Sequence, residues 1–236
     1  MVKRNIQSDC VKAPETLVDH PFYGLQLDEE QKVFRDAIWN PEKDIVFCNA
    51  KAGCGKSLIA VGTADLLVQY GRYKKIYYVF SPCCEGRVGF LPGTIENKEL
   101  PYATPLFDAI GVLGINPYTA IDSGDVVASK YGTDGYIKPI SDVYMRGCNL
   151  ADAVVIFDEF QNFNVDNAKK VLTRVCKNTK VICIGHTGQN DLQHKEQSGF
   201  AKYIDHFAKK NDFRVAICNL THSHRSWVAE WADELE

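Results

Sequence analysis

The sequence predicts an α/β fold, a doubly wound parallel sheet with helices on both faces, on three observations. Five short and nearly continuous apolar runs recur along the chain, at 45–48, 76–80, 154–157, 181–184 and 215–220. Stretches with apolar residues at helical spacing separate them, the alternation a parallel sheet needs when both of its faces are covered. After the first run comes Ala50-Lys51-Ala52-Gly53-Cys54-Gly55-Lys56-Ser57, a turn from strand to helix whose glycines let several backbone N–H groups point at one anion.

The elements follow in chain order. Residues 1–27 are read as an N-terminal extension and 28–236 as one domain, because a chain of 236 residues with 45% hydrophobic content buries one good core and hardly two. Asp28-Glu29-Glu30-Gln31 opens a helix as a capping box, Val33, Phe34, Ala37 and Ile38 form its buried stripe, and Asn40-Pro41 ends it. A second helix runs from Leu58 to Tyr70 and is closed by Gly71. From Pro82 to Asp152 the alternation breaks into Pro, Gly and Tyr, which predicts an insertion of short helices and loops, with one helix near Thr104 to Ile110. No internal repeat or low-complexity segment is visible.

Composition narrows the function classes. A net charge of −3 and a pI near 6.1 give no global pull toward nucleic acid or acidic membranes, so any such binding comes from local patches. The start, Met1 to Gln7, lacks the apolar stretch of a secretory signal, and no apolar run has the length of a bilayer span. These features predict a soluble, cytoplasmic protein. The nine cysteines contain no C-x-x-C pair, which argues against a zinc site or disulfide framework. Cys48, Cys183 and Cys218 fall in predicted strands as small buried hydrophobes. Cys54, near a helix N-terminus where a thiolate is favoured, reads either as filler or as a redox-sensitive block to ligand entry.

The motifs carry the chemistry. Ala50, Lys51, Ala52, Gly53, Cys54, Gly55, Lys56, Ser57 and Leu58 are the candidate nucleotide-binding residues, with Ala50 standing where the usual pattern has its first glycine. Lys56 would reach the β- and γ-phosphates of ATP, and the Ser57 hydroxyl would sit on Mg²⁺. The run 154–157 then delivers Asp158 and Glu159 to the strand edge where open α/β sheets bind ligands. Asp158 would share the metal with Ser57, and Glu159 would orient the attacking water, although such a pair also serves simply to end a strand at the surface. One strand later Gln189 could sense the γ-phosphate. After the last strand Arg225 could neutralise charge on the transferring group, or be plain solvated surface. His222 and His224 have the spacing of a metal pair, but no nearby carboxylate or cysteine in the sequence completes a ligand set.

Together these pieces resemble the PhoH-like ATPases, whose RecA-like P-loop domain is similar to the motor domains of superfamily 1 helicases. The resemblance runs from about Gln31 to Trp227 and is most specific at Gly89-Phe90-Leu91-Pro92-Gly93, Tyr144-Met145-Arg146-Gly147, Phe157-Asp158-Glu159-Phe160-Gln161-Asn162 and Leu172-Thr173-Arg174. It implies that Gln31 reads the adenine edge, that Lys56 and Ser57 clamp the nucleotide, that Asp158 and Glu159 are the metal and water carboxylates, and that Gln189 is the sensor; Arg225 matches an arginine of the C-terminal motif. The chain departs from the family where Gly is common at Ala50, Arg at Ser81 and Asp at His186, and the segment Glu85 to Gly89 is about two residues short.

The resulting expectation is a Mg²⁺-dependent ATPase acting as a homo-oligomeric ring such as a hexamer, with Arg146 or Arg174 serving a neighbouring subunit's nucleotide. RNA or single-stranded DNA is the partner the resemblance implies, with helicase-like activity in an assembly and no strand separation by one copy. Lys170, Arg174 and Lys177, read as one helix face, and the turn Arg72-Tyr73-Lys74-Lys75 are the candidate contacts. A small-molecule kinase and a nucleotide-controlled binding module, with Pro82 to Asp152 as its partner surface, are the competing readings.

Overall fold

The computed structural model describes residues 12–81, 100–122, 135–145, 149–188, 198–228 and 231. Among the described residues six strands make one wholly parallel sheet: β1 (Ile45–Ala50), β2 (Lys75–Phe80), β3 (Ile137–Ser141), β4 (Ala153–Phe157), β5 (Thr179–Gly185) and β6 (Val215–Leu220), in the order β3-β2-β4-β5-β1-β6. The helices are α1 (Glu29–Trp39), α2 (Lys56–Gln69), α3 (Thr104–Leu113), the single turn α4 (Pro117–Ala120), α5 (Val165–Leu172) and α6 (Phe200–Lys210).

The expected five-stranded sheet is therefore corrected to six. The additional strand, β3, lies inside the stretch read as an insertion, at the edge of the sheet: it pairs with β2 and, on its outer side, makes a single bridge from Ile137 to Ile121. Its sequence, Ile137-Lys138-Pro139-Ile140-Ser141, hides it, because a central proline argues against a strand. At a sheet edge the missing N–H faces no partner and the proline is tolerated.

Alternation along each strand divides its apolar run between two cores. Val46, Cys48, Val154, Ile156, Ile182 and Ile184 pack with α1, α2 and α3 on one face. Ile45, Phe47, Val155, Phe157, Val181 and Cys183 pack on the other, with α5, α6 and a cluster of Phe160, Phe163 and Phe200. Both faces are covered, which is why these strands read as continuous apolar runs. The three strand cysteines are buried as expected.

The capping box of α1 forms as expected, with Gln31 N donating to Asp28 Oδ1 (2.8 Å) and Asp28 N to Gln31 Oε1 (3.1 Å). Phe34 and Ile38 are buried, but Val33 is 61% exposed and leaves the predicted stripe. Every residue from Ile59 to Leu67 of α2 is buried, so this helix is the central rod of its layer. The expected helix near Thr104 extends three residues beyond Ile110 and stops at Gly114 in the left-handed region, φ 66°.

One buried polar knot ties distant segments to that rod. Asp65 of α2, fully buried, accepts hydrogen bonds from Tyr23 Oη, Tyr136 Oη (2.5 Å) and Gln69 Nε2 (2.5 Å). Tyr23 lies in the 3₁₀ turn Phe22–Gly24 ahead of α1, and Tyr136 on the approach to β3. Burial, then the Asp65 charge, pushes the Tyr23 phenol far above its ordinary value. Removing the shared acceptor leaves buried donors unpaired, each costing about 1–3 kcal/mol. Asp65→Ala should therefore lower the unfolding free energy by about 3 kcal/mol or more in urea titrations, and Asp65→Asn, which keeps an acceptor, should lower it less.

Candidate active site

The C-terminal ends of β1, β4, β5 and β6 meet at one edge of the sheet, and the candidate residues gather there. Ala50 is the last residue of β1, buried and paired with Leu220 in regular strand register. No left-handed backbone is needed at Ala50, so a Cβ replaces the usual glycine without strain. The loop turns instead at Gly53 (φ 78°) and Gly55 (φ 77°), and α2 starts at Lys56. A Cβ at Gly53 would stand 2.5 Å from Arg225 Cγ, so the bare backbone there admits the Arg225 stem.

Cys54 behaves as filler. Its thiol is buried, Sγ donates to Leu220 O at 3.4 Å, and burial pushes the thiol above its ordinary range even against the pull of Lys56. The redox reading, which required a favoured thiolate, is corrected.

Two carboxylates meet the loop. Asp158 is buried at the end of β4; its Oδ2 accepts from Ser57 Oγ (2.9 Å) and from Tyr78 Oη, and its Oδ1 from the Glu159 N–H (2.8 Å). Burial, then the neighbouring Glu159 charge, lifts the Asp158 carboxyl above its ordinary range. Lys56 Nζ lies 2.9 Å from Glu159 Oε1. Burial opposes the Lys56 charge, but Glu159 and Asp158 outweigh it and hold the ammonium above its ordinary value. Ser57 and Asp158 are two adjacent hard oxygen donors, a pair that fits Mg²⁺.

Glu159 stands in the left-handed region (φ 49°, ψ 48°), an unusual conformation for a residue with a side chain. Gln161 fixes its carboxylate: Nε2 donates to Glu159 Oε2 (2.5 Å), and Oε1 accepts from the His186 N–H (3.0 Å) at the end of β5. Gly185 makes room, because a Cβ there would lie 2.4 Å from Gln161 Oε1. His186, where the family commonly has Asp, contributes its backbone N–H to this relay, and its shielded Nδ1 has no hydrogen-bond partner. Sequence reasoning missed Tyr78 and Gln161 as site residues. Gln161 lay within a quoted motif and shows its role only through its two contacts; Tyr78 sits inside an apolar strand run and carries no sequence signal.

The segment after β6 straps this edge to α1. Glu30 accepts from Thr221 N (2.5 Å) and Thr221 Oγ1 (2.7 Å), and the His224 N–H donates to Gly53 O (3.0 Å). Gln31 Nε2 donates to Cys54 O (3.0 Å) and lies 3.0 Å from His224 Nε2, which is 2.9 Å from Asp28 Oδ2. Gln31 is thus at the loop, braced between cap and strap. The fold brings carboxylates near the histidine pair that the sequence left without any, yet among the described residues no three such side chains group as a metal site. Arg225 stands over the loop of its own chain and repels the Lys56 charge.

Some candidates lie elsewhere. Gln189, Arg146 and the run Gly89 to Gly93 fall outside the described residues. α5 ends at Leu172, so Lys170, Arg174 and Lys177 do not share a helix face; Lys170 and Arg174 line a cavity beside Asp142. The basic segment 72–75 runs into the start of β2 at the opposite end of the strands, where the Arg72 guanidinium sits 4.0 Å over the Trp39 ring and Lys74 pairs with Asp152 at 3.0 Å.

The family described as "PhoH-like protein" matches residues 26–235. A PhoH-like protein of Mycobacterium leprae is 35% identical over 188 residues, 79% of this chain and 50% of the relative. One of Bacillus subtilis is 37% identical over 161 residues, 67% of this chain and 47% of the relative. The chain thus spans about half the length of these curated relatives. Among solved structures, the HK97 bacteriophage large terminase superposes with a TM-score of 0.53 at 15% identity, over 89% of this chain and 43% of that one. That likeness concerns the fold. The relay through Gln161 makes its own prediction: Gln161→Ala should lower any nucleoside-triphosphate turnover by roughly tenfold to a hundredfold through misplacement of Glu159, with nucleotide retention on filters unchanged.

Proposed function

This chain belongs to the PhoH-like family, and we propose that it is a Mg²⁺-dependent ATPase that works as a ring-shaped oligomer and couples hydrolysis to RNA or single-stranded DNA. The observation that carries the proposal is the 2.9 Å pair of Lys56 and Glu159, set in front of the hydrogen-bonded Ser57 and Asp158.

A triphosphate entering the loop offers Lys56 a richer set of anionic oxygens than one carboxylate does. Lys56 then exchanges Glu159 for the β- and γ-phosphates, and the glycine-turned N–H groups and the N-terminus of α2 hold the rest of the phosphate chain. Glu159, kept in place by Gln161, is released to accept a hydrogen bond from the attacking water. Ser57 and Asp158 are the residues that would hold Mg²⁺, which supplies charge neutralisation at the phosphates. Arg225, over Gly53, adds positive charge in cis, and Gln31 stands next to the loop where the adenine edge would be read. Gln189 retains its proposed role as γ-phosphate sensor.

The ring follows from the same electrostatics. Arginine supplied to a phosphoryl-transfer site raises turnover by about 10³ to 10⁵, and Arg146 and Arg174 are the candidates for supplying it to a neighbouring subunit. Specific activity should fall on dilution through the concentration range in which oligomers dissociate in sedimentation; a constant value would remove the trans arginine from the account.

Lys56→Ala should abolish both ATP retention and turnover. Glu159→Gln should retain ATP and lose turnover by a factor of about 10² to 10⁴ in phosphate-release assays. Wild-type turnover in both variants would overturn the assignment.

A further inference from the structure

We propose that the exposed tryptophan pair Trp227 and Trp231 of one copy seats in the cavity between the segment following β3 and helix α5 of a second copy, as the joint of a head-to-tail ring. The inference rests on the ring-shaped oligomer proposed above and names the two surfaces that would build it.

Each surface is incomplete in a single copy. Trp227 is 64% and Trp231 66% exposed, whereas the third tryptophan, Trp39, is buried. The two indoles stand four positions apart, the spacing of one helical face, and meet edge to face at 5.1 Å; Val228 beside them is exposed as well. Such apolar surface left in water is stabilised by burial against a partner. The cavity measures about 310 Å³, room for an indole, and Met145 and Val171, both buried, give it an apolar wall. Val143, also in its lining, is exposed and extends the apolar contact.

The charges are complementary. From Trp227 to Glu236 the sequence carries Glu230, Asp233, Glu234 and Glu236 and no lysine or arginine. The cavity carries Lys170, exposed and hydrogen-bonded to the neutral Asn167 Oδ1 at 3.1 Å, and Arg174, whose guanidinium no side chain pairs with among the described residues. The Asp142 carboxylate is occupied within its own chain: Oδ2 accepts from Asn167 Nδ2 (3.3 Å) and Ser81 Oγ (3.5 Å), and Oδ1 is shielded from water. Opposite charge orients the joint, and the carboxylates around the indoles repel the phosphates of a nucleic-acid strand, which disfavours a strand as the occupant.

The sheet order makes the contact one between copies. β3 and β6 are its opposite edges, about 24 Å apart at five strand spacings, and the two surfaces follow those edge strands at the same C-terminal ends. The hydrogen bond from the His224 N–H to Gly53 O holds the strap, and with it the indoles, on the flank of β1 and β6. A contact joining opposite flanks is heterologous, the kind that repeats head to tail and closes into rings. The docking segment is also the one that sets Arg225 over Gly53, so each joint fixes the strap that closes the ATP site.

The test follows the full chain through its dissociation range by sedimentation velocity and by acrylamide quenching of tryptophan fluorescence, with and without ADP. Quenching should fall as oligomers form. Trp227→Ala with Trp231→Ala, and separately Lys170→Glu with Arg174→Glu, should each raise the concentration of half-assembly by about tenfold or more. None of the four positions is buried, so both variants should keep the wild-type circular dichroism. Mixed, the two variants should form a one-to-one complex, because the first still offers a cavity and the second still offers the indoles. A mixture that forms no complex, or indoles quenched equally in the oligomer, would overturn the joint and leave a ring built through other surfaces. A chain that stays a single copy at every concentration would overturn ring and joint together.

Discussion

An ammonium and two carboxylates held together at one sheet edge are the constraint around which the rest of the structure is organised. Lys56, Asp158 and Glu159 arrive from two different strand ends, and Asp158 is buried. Buried charge is costly unless it is paired and hydrogen-bonded. Each neighbouring feature reduces that cost: Ser57 and Tyr78 donate to Asp158, the Glu159 N–H closes its other oxygen, and Gln161 holds Glu159. The left-handed Glu159 and the close approach at Gly185 are the geometric consequences of that packing.

The sheet order explains how one edge serves both carboxylates and loop. β4 and β1 are separated by β5 alone, so the acidic strand end and the loop face each other across the end of β5, where Gly185 and the His186 N–H sit. The strap after β6 closes the far side by hydrogen-bonding Gly53 and Glu30. A site assembled from four strand ends is rigid because the two cores beneath it, one on each face, fix those ends relative to one another.

What could be read in the sequence followed from periodicity and local motifs. The central strands, the capping box at Asp28 and the loop were legible because burial on both faces, helix capping and glycine turns each leave a local mark. β3 was not, since Pro139 is tolerated only by virtue of its edge position, which is a tertiary fact. The roles of Tyr78 and Gln161, the carboxylates beside His224 and the Asp65 knot were equally hidden: each depends on residues tens of positions apart meeting in space. Cys54 shows the reverse error. Its place near a helix N-terminus suggested a thiolate, and burial decided otherwise.

A triphosphate taking Lys56 from Glu159 is the event on which the proposed chemistry depends. Calorimetric titration of the wild-type chain with ATP and magnesium measures that exchange directly. A saturable heat with one nucleotide per chain is expected, weakened by rising salt as the ionic contacts are screened; a titration without heat, or saturation unaffected by loss of the Lys56 ammonium, would contradict that exchange.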